Sequence, residues 1–170
     1  MSEEINKHDE RGNLVYSKYS DGSNDIEYWR EYDKNNNLVH SKNSKGSEEW
    51  YEFDKNNNRI YYKDSNGLER WQEWDKNNNL MHYKSITGSE SWYKYDKNNN
   101  KIYQKSDDGD EFWYKYDESN REIYYKSSTG SECWSKYDKN NERIDITEQK
   151  LRIRMYLNNK KINRFEIMDI

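Results

Sequence analysis

The residues able to do chemistry here are few in kind and recur at fixed spacing. The string DKNNN opens at Asp33, Asp54, Asp75 and Asp96. In D-x-N-x-N, alternate side chains can present oxygens to a hard cation such as calcium. The sixth position, however, is Leu, Arg or Lys where such a loop needs Gly, and no Glu stands at the twelfth. A turn, with Asp and Asn bonding their own backbone, is the preferred reading, and no metal site is expected. Among the histidines His8, His40 and His82, the last two occupy a repeat position that is Tyr in four other copies, so they read as aromatic fillers rather than as a ligand or base. The single cysteine, Cys133, excludes an intramolecular disulfide framework and a multi-Cys zinc site. It sits in a slot held elsewhere by Tyr28, Glu49, Arg70, Ser91 and Phe112, where nothing marks it as a nucleophile. The recurrent Glu residues are each matched by a Lys, which leaves no distinctive general acid and base, and there is no Gly-rich phosphate loop or serine elbow. The expectation is a protein that is not an enzyme and uses no cofactor.

What remains is aromatic: 17 Tyr, 7 Trp and 3 Phe. Flat rings can hold a sheet together across strands, stack on sugars or nucleobases, or anchor a protein partner. Trp50, Trp71, Trp92 and Trp113, with Tyr61, His82 and Tyr103, are the candidate partner-binding residues. Against 33 acidic residues stand 29 basic ones, a net charge of -4. Residues 143–170 carry seven basic and four acidic side chains, so the repeats are the more acidic part and lack a basic groove for phosphates. No nucleic acid is therefore expected. No run of 18 apolar residues could span a membrane, and residues 1–20 contain no apolar export signal. These features point to a cytoplasmic protein. The abundance of Asn and Lys with no Ala or Pro suggests AT-rich coding, as in a bacterium or phage.

A mean hydropathy of -1.63 would ordinarily indicate disorder, but Tyr and Trp bury large areas that such scales undervalue. Asp33, Asp54, Asp75, Asp96, Asp117 and Asp138 are each 21 residues apart, and an earlier copy opens at Asp9. Each copy reads as strand, turn, strand, turn: in residues 75–95, DKNN turns, NLMHYK extends, SITG turns and SESWYKY extends. The predicted fold is all-β, an antiparallel β-meander of about six 21-residue hairpins over 9–142, curled or twisted, behind a frayed N-terminus at 1–8. Residues 143–170 are read as a capping segment, with LRIRMYL and INRFEIMDI forming a closing hairpin.

Register follows from charge. Lys18 and Glu27, Lys42 and Glu48, Lys63 and Glu69, Lys84 and Glu90, Lys105 and Glu111, and Lys126 and Glu132 should face one another. One face then carries these pairs, the Trp row (29, 50, 71, 92, 113, 134) and Tyr16, His40, Tyr61, His82, Tyr103 and Tyr124. The other, greasier face carries Val15, Val39, Ile60, Met81, Ile102 and Ile123 with Tyr32, Phe53, Trp74, Tyr95, Tyr116 and Tyr137, and should turn inward if the ribbon curls.

The rhythm of aromatic, Asp, aliphatic and Gly resembles the YD repeats of RHS-type proteins. It is carried by Asp9, Gly12 and Leu14 and by Tyr32-Asp33, Tyr95-Asp96, Tyr116-Asp117 and Tyr137-Asp138, with Asn36, Asn57, Asn78 and Asn99 where that family prefers Gly. The two-strand units are also similar to MORN-type repeats and to antitoxin-like bacterial repeat proteins. This resemblance implies a hairpin scaffold in a toxin-immunity neighbourhood and carries no activity. Trp50-Tyr51, Trp92-Tyr93 and Trp113-Tyr114 resemble the Trp-Tyr pair of choline-binding repeats, without their Gly-Trp opening. The leading expectation is a non-catalytic inhibitor that binds another protein, such as a toxin or a nuclease effector, and occludes it. It would be an immunity protein or an anti-CRISPR-type blocker. The alternative is a glycan- or choline-binding cell-wall module using aromatic stacking.

Overall fold

The computed structural model of the chain describes residues 3–20, 25–147, 149 and 150. The strands are β1 (Glu3–His8), β2 (Leu14–Ser20), β3 (Asp25–Tyr32), β4 (Leu38–Asn43), β5 (Glu48–Phe53), β6 (Arg59–Asp64) and β7 (Glu69–Trp74). They continue as β8 (Leu80–Ser85), β9 (Glu90–Tyr95), β10 (Lys101–Ser106), β11 (Glu111–Tyr116), β12 (Glu122–Ser127), β13 (Glu132–Tyr137) and β14 (Arg143–Asp145). Strand order follows chain order in an antiparallel meander. Two compact units divide it, Met1–Tyr93 and Lys94–Ile170.

The turns explain why so polar a chain folds this way. In the turn Asp33–Asn37, the Asp33 amide donates to the Asn37 carbonyl at 3.0 Å and the Asn36 amide to the Asp33 carbonyl at 3.2 Å. The Asp33 carboxylate accepts the Asn35 and Asn37 amides at 2.8 and 2.9 Å and the Asn37 side-chain amide at 3.0 Å. D-x-N-x-N thus uses its Asp oxygens to close the turn. The fourth residue must adopt a left-handed conformation, which Asn tolerates. Asn36, Asn57, Asn78, Asn99, Asn120 and Asn141 all have φ between 60° and 66°. The second turn of each copy repeats the design with Gly in that place: Asn43 caps the amides of Lys45 and Ser47, and Gly46 has φ 91°.

All six Lys–Glu registers are as predicted, Lys18 opposite Glu27 through Lys126 opposite Glu132. Three expectations are corrected. Residues 3–8, polar enough to suggest fraying, pair with β2 as β1. No hydrophobic side chain is buried among the described residues, which form a single layer of half-buried rings without an enclosed core; Ser85, Ser127 and Ser135 are the buried residues. Finally, in the pairings of β1 with β2, β3 with β4, β5 with β6, β7 with β8 and β11 with β12, the second strand carries a β-bulge at its second residue, so Phe53 faces Arg59 and Glu52 faces Tyr61, with Ile60 between. Arg59 thereby joins Phe53 and Trp74, and Ile60 moves to the Trp71 side.

The bulge is a consequence of an odd period. Reflection through the register of β5 with β6 and then of β6 with β7 would, without the extra residue, carry Trp50 to position 70, and each successive Trp would change faces. The inserted residue carries Trp50 through Lys63 to Glu69 instead, an odd step like the 21-residue period itself, and so keeps the Trp residues on one face. The three residues added to the first copy lengthen its hairpin, pairing Tyr19 with Ile26 and Ser20 with Asp25. The predicted closing hairpin lies outside the described residues. Before it, Ile146 donates to the Trp134 carbonyl at 2.8 Å, and a helical turn begins at Thr147.

Candidate functional site

In the first unit, each Trp of the repeat row lies directly opposite the ring of the preceding strand. Tyr16 and Tyr61 meet Trp29 and Trp71 at 5.9 and 5.7 Å between centroids, tilted by 56° and 45°. His40 and His82 lie nearly flat on Trp50 and Trp92, at 5.5 and 5.3 Å with interplanar angles of 15° and 12°. The flat arrangement follows from the imidazole's two in-plane nitrogens. His40 Nε2 is 2.8 Å from Glu48 and Nδ1 is 3.3 Å from Glu31; His82 Nε2 is 2.8 Å from Glu90 and Nδ1 is 3.5 Å from Glu73. Tyr has one polar tip and is not tethered at both ends.

These histidines do more than fill space, because they draw Glu48 and Glu90 to themselves. Lys42 Nζ sits 5.8 Å over the Trp29 ring. Beside Tyr16, Tyr61 and Tyr103 the expected ion pair forms, most closely between Lys63 and Glu69 at 3.0 Å, where each partner holds the other in its charged form. Beside Tyr124, Lys126 instead lies 5.7 Å over Trp113 and Glu132 accepts the Trp134 indole N–H. Two adjoining open hollows lie on this face. One, of 430 Å³, is lined by Glu52, Ile60, Tyr61, Glu69 and Trp71. The other, of 380 Å³, is lined by Trp50, Glu52, Tyr61 and Lys63. The structure therefore brings Trp50, Tyr61 and Trp71 together, and Trp71 is 38 % exposed. His82 and Trp92 form the next ring pair of the same unit.

The second unit holds the remaining two candidates. Tyr103 faces Trp113 at 5.9 Å, followed by Tyr124 and Trp134 at 4.3 Å. Here the adjoining charge is positive: Lys94 lies 5.2 Å over Tyr103, and Lys115 lies 5.3 Å over Tyr124.

Sequence reasoning missed Glu52 and Ile60. The bulge accounts for Ile60, and the odd repeat length was the available signal. It also missed a cluster on the opposite face of the first unit. There the Tyr51 hydroxyl donates to Glu49 at 2.8 Å and the Tyr62 hydroxyl to the same carboxylate at 3.2 Å. Burial, reinforced by Glu49, pushes the Tyr51 hydroxyl's pKa up. The guanidinium groups of Arg59 and Arg70 lie 5.6 and 5.5 Å from the Tyr62 ring, and Arg59 Nε donates to Gln72 at 3.2 Å. With Leu38, Phe53 and Trp74, residues of this cluster line an open hollow of 530 Å³. The Tyr51, Tyr62, Arg59 and Gln72 groups here have partners and only the buried Arg70 Nε lacks a hydrogen bond, whereas the Trp face presents ring surface beside exposed carboxylates.

Neither a family model nor a curated protein matches the sequence. Several solved structures match its fold. The TcdB2-TccC3-TEV crystal structure has a TM-score of 0.64 at 12 % identity, covering 81 % of this chain and 8 % of that one. The Photorhabdus luminescens Tc holotoxin pore with a mutated TccC3 has a TM-score of 0.64 at 13 % identity, covering 84 % and 9 %. TcdB2-TccC3 gives 0.62 at 12 %, covering 81 % and 9 %. The chain thus spans less than a tenth of these neighbours' length. At such identity the likeness concerns fold alone, and it bears out a YD-repeat-like hairpin array.

Proposed function

We propose that this chain is a non-catalytic, cytoplasmic binding protein that inhibits another protein by occluding its working surface, as a toxin immunity protein or an anti-CRISPR-type blocker of a nuclease effector does. The observation that carries the reading is the first unit's Trp face, where Trp50, Tyr61 and Trp71 border open hollows rimmed by Glu52 and Glu69. Rings anchor protein interfaces, and carboxylates steer them toward basic patches such as those of nucleases. Affinity capture with the wild-type chain and with Trp71→Ala and Glu52→Lys tests it. One protein held by the wild type, lost by both variants and functionally blocked in a reconstituted assay supports the reading. Capture that is indifferent to both variants overturns it.

A second reading, a glycan- or choline-binding module, draws on the same exposed Trp71 ring beside carboxylates. Saturable change of Trp emission by choline or a polysaccharide, abolished in Trp71→Ala, would favour that reading over the first.

A further inference from the structure

One repeat position reverses charge while its neighbours keep their type. Two residues after each Trp of the row stand Glu31, Glu52 and Glu73 in the first unit and Lys94, Lys115 and Lys136 in the second. Pairing places this position on the Trp face: Glu31 faces His40, Glu52 faces Tyr61, Glu73 faces His82 and Lys115 faces Tyr124. All six residues are exposed. Every copy also carries one Lys and one Glu from its register pair on this face, and these cancel. The reversing position therefore sets the sign, acidic on the first unit and basic on the second.

Glu31 and Glu73 have local partners in His40 and His82, but Glu52 has no such histidine, so local contacts do not dictate the change there. Tyr61 has a Glu opposite it and Tyr124 a Lys, although the ring is the same. Neighbouring strands are about 4.8 Å apart and each copy is staggered by two residues, since Glu52 lies level with Trp71 through Tyr61, so like charges recur about every 12 Å along each row. The carboxylate row and the ammonium row consequently have the same spacing, and each is flanked by aromatic pairs that supply apolar area.

We propose that the protein self-associates through this face, the Trp face of the first unit in one copy docking on the Trp face of the second unit in another, with Glu31, Glu52 and Glu73 opposite Lys94, Lys115 and Lys136. The occupant is a second copy because its spacing and sign complement the row. It draws on the same face as the inhibitor reading but does not rest on it, and ultracentrifugation of the pure chain, with no other protein present, reads self-association alone.

Analytical ultracentrifugation of the full chain tests it. The wild type should associate at about 0.05 M salt and weaken at least about tenfold by about 0.5 M, as screening shortens the reach of exposed charges. Glu31→Lys/Glu52→Lys/Glu73→Lys gives a row of one sign, and Lys94→Glu/Lys115→Glu/Lys136→Glu gives the opposite row. Each triple variant should be monomeric alone, and an equimolar mixture should associate. Combining all six reversals in one chain should restore self-association. These are exposed positions, and circular dichroism of each variant checks folding. A wild type that stays monomeric at low salt overturns the proposal. So does association that survives in either triple variant alone, or a mixture of folded variants that stays monomeric.

Discussion

The two rows of turns close the same backbone loop with different residues, and the difference shows what Asn supplies that Gly cannot. In the Gly-bearing row, φ lies between 85° and 100° at Gly46, Gly67, Gly88, Gly109 and Gly130, and copies are linked through backbone and serine: Ser65 donates its amide to the Glu48 carbonyl at 2.8 Å, and its hydroxyl accepts the Glu48 amide at 3.1 Å. In the Asp-led row, the left-handed residue is itself a link. The Asn37 side chain donates to the Asn57 side chain at 2.8 Å, and Asn58 donates to Asn78 at 2.8 Å. In the second unit Asn100 likewise donates to Asn120 at 2.8 Å. Gly12 stands in the first turn of this row, where no described side chain donates to it, and there Gly suffices. Asn thus accepts a small conformational penalty in exchange for a bond between copies.

Acid should separate the rows most sharply. Asp33 and Asp54 are held below the ordinary value of 3.8, first by the side-chain amides of Asn37 and Asn58; Asp75 is held down first by the Asn79 backbone amide and then by its side chain. A folded pKa below the unfolded one contributes stability that is complete above the ordinary value and is lost as the pH falls through the lowered one. Lowering the pH from about 5 to about 2 should therefore destabilise the protein cooperatively. Hydrogen exchange should show the Asn35, Asn37, Asn56 and Asn58 amides opening before those of Lys45 and Ser47, which Asn43 caps without titrating. Simultaneous opening of both rows would break the comparison.

Gly88→Val should cost about 1–2 kcal/mol in urea unfolding, because φ is 100° there and nothing lies within 4 Å of an added Cβ, so the backbone alone resists. Gly88→Asn should cost less than half as much. Asn57→Gly should be milder still, at about 0.5 kcal/mol, since relief of the left-handed conformation offsets part of the lost bond from Asn37. A stabilised Asn57→Gly protein would show that the side-chain ladder contributes nothing. The smallest effect is expected for Ser65→Ala, at most about 0.5 kcal/mol, because the Ser65 amide keeps its bond to Glu48 when the hydroxyl is removed.

Much of this fold was legible because turn chemistry and charge pairing are local. Asp and Asn at fixed offsets located every Asp-led turn, and Lys opposite Glu fixed register in all six hairpins. The candidate site was legible only as a row. That Trp50, Tyr61 and Trp71 border common hollows depends on Ile60 crossing to their face at the bulge. Polarity misled at residues 3–8, since a strand on a meander can be held by its backbone ladder whether or not its side chains are apolar. The flat His–Trp pairs could not be read from ring counts, because they depend on which of two neighbours wins a carboxylate.

By itself, then, the sequence determined the period and the turn positions, properties of a one-dimensional pattern closed by bonds within a few residues, while the bulge in the pairing of adjacent strands is what keeps the Trp row on one face. Tertiary structure alone decided that Glu48 and Glu90 go to His rather than Lys, that Ile60 sits with Trp71 and Arg59 with Trp74, and that the rings remain half-buried in one layer. Those outcomes are competitions among side chains brought within a few ångströms by adjacent strands, and the winner depends on distance and ring orientation rather than on order along the chain.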